Sequence, residues 1–299
     1  MFAITGATGN TGGVVAEKLL AGGEKVRVIG RDTSRLARFV QKGAEAFPAD
    51  VTDGAALTRA FEGATGVYAL IPPNIGTADV RAYQERVTDA LASALRQASV
   101  PRAVTLSSIG ADKSEKVGPV VGLHNLERKL NAIERLNVVH LRAGYFMENL
   151  LPQVDVIRNF GMVGGPVKAD LLLPMIATRD IGAVAAGLLK SGFTGKQTRE
   201  LLGQRDVNYT EVASVIGRAI GKPELRYVQL PAQQLKPALM QMGMSSNMAD
   251  LLLEMAEALN NGHMKALEPR SAENNTPTSI DVFANEEFAP RFRAKAATA

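Results

Sequence analysis

Three observations in the sequence predict an α/β protein built on a doubly wound parallel sheet. The chain opens MFAITGATGNTGG, a short apolar run that meets three glycines and then apolar residues at helical spacing. From there to Arg142, short apolar runs alternate with helical patterns, the cadence of parallel strands joined by crossover helices. The 299 residues are 46% hydrophobic and 21% charged, an ordinary globular balance with length for one elaborated domain or two.

Composition excludes several classes of function. Cysteine is absent, which removes disulfides, thiolate chemistry and zinc–sulfur sites, and no other metal-ligand spacing is present. The net charge is +4, with no dense Lys/Arg block and 5% aromatic residues, so nucleic acid is not an expected partner. No apolar run nears the ~20 residues of a membrane helix. No charged segment leads into an apolar stretch ahead of the first strand. The expectation is a cytoplasmic protein without a membrane partner, and the sequence leaves its oligomeric state open.

Phe2-Ala3-Ile4 is the first strand, Gly6, Gly9 and Gly12 follow at three-residue intervals, and Val14-Val15-Ala16 with Leu19-Leu20 continue as a helix. Such a turn leaves backbone N–H groups facing outward at a helix N-terminus, where partial positive charge favours a diphosphate. Glycine is needed where a side chain would block the anion or where φ is positive. Thr5, Thr8, Asn10 and Thr11 add short donors around the same hollow. The spacing is G-x-x-G-x-x-G rather than G-x-G-x-x-G, so the surrounding strand, helix and second strand carry the reading of a dinucleotide site. Lys25 to Gly30 is that second strand, and Arg31 stands just past its end. There an acid grips a ribose 2′-OH and a base accommodates a 2′-phosphate. Asp32 or Thr33 is a natural N-cap for the helix through Arg35–Val40. Assigning Asp32 to the cap leaves Arg31 for the phosphate and favours NADP(H) over NAD(H).

The third strand lies in 44–49 and ends at Asp50-Val51, and Asp53-Gly54 open a helix to Phe61. Gly66 to Ile71 is the fourth strand; Pro72-Pro73 either walls the nicotinamide side or simply stops the strand. A helix over 79–98 precedes the fifth strand, 103–106, and Ser107-Ser108 follow it. A helix over 123–135 leads to the sixth strand, 138–142. Ligands of such a sheet sit at the carboxyl ends of its strands, where Gly6, Arg31, Asp50, Ile71 and Ser107 fall. Beyond Gly144 the pattern predicts a helix over 147–160, a glycine loop over 161–166, a small-residue helix over 180–189, a strand over 198–202, a helix over 209–220 and a short strand over 226–228. The methionine-rich stretch from Leu239 to Met255 reads as helix packing ahead of an adaptable substrate wall. An apolar patch at Ile280, Val282 and Phe283 predicts a docked terminal segment. The domain expectation is a Rossmann-type NAD(P)-binding domain over 1–145, with 178–190 packing back onto it. A smaller α+β substrate part over 146–299 is interleaved with the first.

Several segments together resemble the NmrA-like branch of the atypical short-chain dehydrogenases, which includes bacterial NADPH-dependent quinone and triphenylmethane reductases. They are TGATGNTGG (5–13), VRVIGRD (26–32), Asp50-Val51, SSIGAD (107–112), HNLERKL (124–130), LRAGYFMEN (141–149), NYTEVASVIGRAIG (208–221) and TPTSIDVFA (276–284). The resemblance implies that Gly6, Ala7, Thr8, Gly9, Asn10, Thr11 and Gly12 hold the diphosphate and Arg31 the 2′-phosphate. By the same resemblance Asp50 and Val51 border the adenine, while Ile71 and Pro72 lie along the nicotinamide ribose. Ser107, counted with the cofactor site, and Ser108, counted with the substrate, stand where the larger superfamily places a serine near the reacting carbonyl. His124 occupies the position where reductase relatives place a lysine or histidine, and Tyr145, Phe146 and Asn149 line the substrate entrance.

The superfamily's Tyr-x-x-x-Lys pair is missing; the helix reads Gly-Leu-His-Asn-Leu-Glu-Arg-Lys. Reducing an isolated ketone needs an acid to protonate the alkoxide as hydride arrives. A quinone, an enone or a cationic dye spreads or neutralises that charge, so the missing tyrosine favours such small-molecule electron acceptors. His124 either donates a proton or only hydrogen-bonds the acceptor. The resemblance therefore implies an NADPH-dependent reductase of conjugated electrophiles, with a non-catalytic NADP(H)-sensing regulator as the alternative. His140 and His263 receive no role.

Overall fold

The first strand, β1 (Phe2–Thr5), is buried on every residue, as an unbroken apolar run covered on both faces must be. Around it the computed structural model, which describes residues 1–294, runs in the expected alternation. It continues through α1 (Asn10–Ala21), β2 (Val26–Gly30), α2 (Thr33–Val40), β3 (Glu45–Pro48), α3 (Gly54–Phe61), β4 (Gly66–Ala69), α4 (Val80–Gln97), β5 (Arg102–Ser108), α5 (Val121–Asn131) and β6 (Asn137–Ala143). The second half contains β7 (Tyr145–Phe146), α6 (Gln153–Phe160), β8 (Val163–Gly165), β9 (Leu173–Ile176), α7 (Thr178–Ser191), β10 (Lys196–Leu201), β11 (Asp206–Val207) and α8 (Tyr209–Ile220). It closes with β12 (Tyr227–Gln229), α9 (Ala232–Gln241), α10 (Ser246–Asn260), α11 (Ile280–Phe283) and α12 (Ala289–Arg293). Asp32, Asp53 and Asp79 cap α2, α3 and α4, each carboxylate accepting a first-turn backbone N–H.

Seven strands form one parallel sheet in the order β10-β6-β5-β4-β1-β2-β3. The chain builds outward from β1 to β3, then returns to add β4 on the other side of β1. The crevice at that reversal, above the carboxyl ends of the strands, is where such sheets take ligands. Both edges are protected: β3 ends in an exposed proline, and β10 begins with exposed Lys196, Gln197 and Thr198. On one face α7 lies against α1, so closely that a Cβ on Gly182 would overlap Val14 and the carbonyl of Thr11. The other face is covered by α3, α4 and α5 through Leu57, Phe61, Leu91, Leu95, Leu126 and Leu130. A further core gathers Met147, Met175, Val212, Ile216, Phe283 and Phe288 from the second half.

Several expectations shift. The helix over 147–160 is two pieces, a 3-10 turn over Met147–Leu150 and α6, with Pro152 as the N-cap of the second. Proline favours a helix start over its interior. Residues 163–165, expected as loop, pair with β12. The methionine-rich stretch breaks at Gly243, whose φ of +88° ends one helix before Ser245 caps the next. The helix expected to reach Arg135 stops at Asn131. The terminal segment docks as expected through Ile280 and Phe283, 2% and 1% exposed, while Val282 faces outward at 38%. Two buried carboxylates pin it: Glu200 accepts the backbone N–H groups of Leu267 and Glu268, and Asp180 takes those of Thr278, amide and hydroxyl. No helix among the described residues is long and apolar enough to cross a membrane.

Candidate functional site

At the end of β1 the backbone of Gly6 turns through φ +63°, a conformation that calls for glycine. Gly9 then serves as the N-cap of α1 with no side-chain cap. The amides of the first turn have no intrahelical acceptor and carry the positive end of the helix dipole. The three glycines do different work. A Cβ on Gly12 would overlap the carbonyl of Gly6, so Gly12 serves the fold. A Cβ on Gly9 would meet only the Gly6 oxygen, at 3.3 Å, and Gly9 and Asn10 are exposed. A side chain at Gly9 would therefore press on the Gly6 oxygen and otherwise stand in open space over the α1 amides, a space that fits a diphosphate. Thr8 borders it half-buried, Ala7 and Thr11 are buried beneath it, and Thr5 serves elsewhere. The Thr5 hydroxyl donates to the carbonyl of Tyr68 and accepts from the amide of Leu70, tying β1 to β4.

Beyond β2, Asp32 accepts the amide and hydroxyl of Ser34, at 2.9 and 2.6 Å. Its cap role is thus occupied, and those bonds lower its carboxyl from the ordinary value, led by the Ser34 hydroxyl and opposed by desolvation. Arg31 is 82% exposed and its nearest carboxylate, Asp50, is 4.0 Å away. Partial burial raises the Asp50 carboxyl, but bonds from Thr52 and the charge of Arg31 outweigh it and lower the group. Arg35, given no site role by the sequence, returns from α2 to the carbonyl of Thr8 at 3.5 Å. Arg35 thus stands against the glycine turn, and Arg31 stands exposed beside Asp50 past the end of β2. Arg35 follows the Asp32 cap by three residues, and helical side chains lean toward the N-terminus, so the R-D-x-x-R spacing carries the signal. Val51 is half-buried beside Asp50.

On the opposite side of the hollow, Ile71 and Pro72 are half-buried past the end of β4. Ser107 is 2% exposed and gives its hydroxyl to Glu127 at 2.5 Å, while Ser108 bonds the carbonyl of Ile109. Glu127 is in turn held in two bonds by Arg142. Glu127 escaped the sequence reading, although it lies three residues past His124 on the same face of α5. His124 is half-buried and its Nδ1 sits 2.9 Å from the carbonyl of Ala111. A carbonyl only accepts, so Nδ1 carries the proton and Nε2 is left for another partner. His140 lies inside β6, fully buried between Thr105 and Asn131. Burial lowers it to about 4, opposed by Glu127 and reinforced by Arg142 and Lys196.

Tyr145 and Phe146 lie on β7, both half-buried, and Asn149 is exposed just past them. The Tyr145 ring meets Tyr209 edge-on at 6.2 Å, and Tyr209 stacks on Tyr227 at 4.6 Å. Burial raises all three phenols, so each remains protonated at neutral pH. Two clefts lie away from the glycine turn. One, of about 680 Å³, runs between α9 and α10 past Lys236, Met240 and Asp250. The other, of about 550 Å³, is lined by Lys116, Glu254 and His263. Neither offers a glycine-lined helix start. Among the described residues no cluster of metal-ligating side chains occurs.

Comparison with known proteins agrees with this architecture. The chain is 27% identical over 257 residues, 85% of this chain and 86% of the relative, to the NAD(P)H azoreductase of Xenophilus azovorans. It is 28% identical over 260 residues, 85% and 86% of the two chains, to quinone oxidoreductase 2 of Escherichia coli. The crystal structure of an Escherichia coli NADPH-dependent quinone oxidoreductase complexed with NADPH superposes with a TM-score of 0.80 at 23% identity, covering 95% of this chain and 98% of that one. The sequence profile of the NmrA-like family matches residues 1–286, and the chain belongs to that family.

Proposed function

We propose that this protein is an NADPH-dependent reductase that passes hydride to a quinone-like or other conjugated electrophile. The observation that carries this reading is the unfilled hollow at Gly9, with the free first-turn amides of α1 behind it and Arg31 and Arg35 at its adenosine end. The azo and quinone substrates in its relatives' names support conjugated acceptors. A dihydronicotinamide cofactor, when bound, would supply the hydride. The amides of Asn10, Thr11 and Gly12 hold the diphosphate and Arg31 the 2′-phosphate, with Arg35 beside it. Asp50 and Val51 border the adenine, and Ile71, Pro72 and Ser107 border the nicotinamide half. Ser108, His124, Tyr145, Phe146 and Asn149 border the acceptor.

His124 works through one atom. With Nδ1–H engaged by Ala111, neutral His124 presents a lone pair at Nε2, and protonated His124 presents an N–H. Only the protonated form can give a proton to an acceptor that has taken hydride, whereas a cationic dye needs none. The test is NADPH oxidation, followed by absorbance, against a panel of quinones, azo dyes and cationic dyes. Acceptor-dependent turnover supports the reductase. Tight NADPH binding with no turnover on any acceptor overturns it in favour of a cofactor sensor.

A further inference from the structure

Ser107, Arg142 and Glu200 stand on one row across three neighbouring strands. The register pairs Ser107 of β5 with Arg142 of β6, and Arg142 with Glu200 of β10. Each is the last residue but one of its strand, so the row lies at the carboxyl ends. Glu127 reaches the row from α5. Its Oε1 accepts the Ser107 hydroxyl at 2.5 Å and Arg142 Nε at 3.0 Å, and its Oε2 accepts Arg142 Nη2 at 2.6 Å. Ser107 and Glu127 are 2% and 5% exposed. A two-bonded arginine–carboxylate pair is geometrically rigid, and stranding either buried charge is costly, so the pair is a fixed anchor for whatever else Glu127 holds.

A serine has one proton to donate and two lone pairs. The proton of Ser107 is committed to a carboxylate that Arg142 keeps in place. Towards any other group Ser107 can therefore only accept. The 2′-phosphate reader lies at the end of β2 and the diphosphate hollow at the end of β1. The remaining half of a bound dinucleotide must then extend over β4 and β5, on the other side of the sheet's reversal. That half carries hydroxyl groups and an amide, all able to donate. The geometry points to Glu127 as a positioning residue that holds Ser107 as a hydrogen-bond acceptor for a donor on the nicotinamide half of the cofactor. The inference rests on the hollow being an NADP(H) site. It also bears on proton supply, because a serine so held is not the acid of the reaction.

Glu127→Gln preserves shape and puts a donor on the carboxylate's site: with the amide oxygen on Arg142 Nη2, the amide nitrogen takes the Oε1 place, gives up the Arg142 Nε bond, faces Ser107 and turns the serine proton outward. The test is titration of NADPH, and of adenosine 2′,5′-bisphosphate, which lacks the nicotinamide half, against the parent, Ser107→Ala, Glu127→Gln and the double variant. Each single variant is expected to weaken NADPH roughly three- to tenfold. The double variant should lose no more than Glu127→Gln alone, because both remove one interaction, and bisphosphate binding should be unchanged. Undiminished NADPH affinity in Glu127→Gln, additive losses, or an equal loss for the bisphosphate would overturn the inference. Should Glu127→Gln fail to fold, the paired Glu127→Met, Arg142→Met variant removes both charges together. The same NADPH-selective loss is expected of it, and parent-like NADPH affinity there would refute the assignment. Failure of the parent to bind NADPH overturns the proposed function and this inference with it; binding by the parent with unaltered variants overturns this inference alone.

Discussion

Under the proposed function, cofactor choice turns on two arginines from different elements, Arg31 and Arg35. Arg31 extends from the end of β2 and is 82% exposed, with Asp50 no nearer than 4.0 Å. Arg35 folds back from α2 to the carbonyl of Thr8. A hydrogen bond to a charged group contributes about 1.5–3 kcal/mol, and solvent around Arg31 places it at the lower end. Arg31→Ala is therefore expected to weaken NADPH about tenfold. Arg35→Ala should act in the same direction, and the pair together by up to about a hundredfold. NADH lacks the phosphate and should change little. The difference should shrink as salt rises, since the screening length is about 10 Å at 0.1 M ionic strength. Asp32 is committed to the cap, so Asp32→Ala should cost on the order of 1 kcal/mol of stability and leave cofactor preference alone. Fluorescence titration of both cofactors at two salt concentrations, with thermal melts, measures each quantity. Equal losses for NADPH and NADH in the arginine variants, or a gain of NADPH affinity in Asp32→Ala, would refute this reasoning.

Gly9→Val is expected to leave a folded protein that no longer binds NADPH, whereas Gly12→Ala should lower the melting temperature because its Cβ overlaps the Gly6 backbone; melts and titrations of both separate hollow from fold. His140 is buried and neutral, lowered to about 4 from its ordinary 6.5. The unfolded chain therefore takes its proton first, and the stabilising contribution, complete above about pH 6.5, is lost as pH falls toward 4. Between pH 7.5 and 5, denaturant titrations should show the parent losing about 2 kcal/mol more than His140→Gln; parallel pH profiles would refute the burial argument. His124→Gln should slow quinone reduction roughly a hundredfold or more with NADPH affinity unchanged.

The glycine turn, the six-strand cadence up to Arg142 and the Asp32 cap were legible in the sequence, because each is set by neighbours a few residues apart. Apolar period selects strand or helix, an aspartate before a helix caps it, and a glycine ahead of a helix leaves its amides open. Local signals could not assign the three glycines their separate duties. Gly12 meets a backbone that returns from the end of β1, while Gly9 meets solvent, and only the folded turn distinguishes them. The same holds for partners distant in sequence. Ser107 finds Glu127 twenty residues on, Arg142 finds it from the next strand, and Glu200 reaches the segment at Leu267. Strand register and helix docking bring those charges together, and burial then obliges them to pair. The sequence by itself therefore determined the sheet, its turn and the kind of ligand the turn suits. Tertiary structure alone decided which hydroxyls, carboxylates and imidazole nitrogens remain free to meet that ligand, because a buried polar group is committed by whatever the fold places beside it.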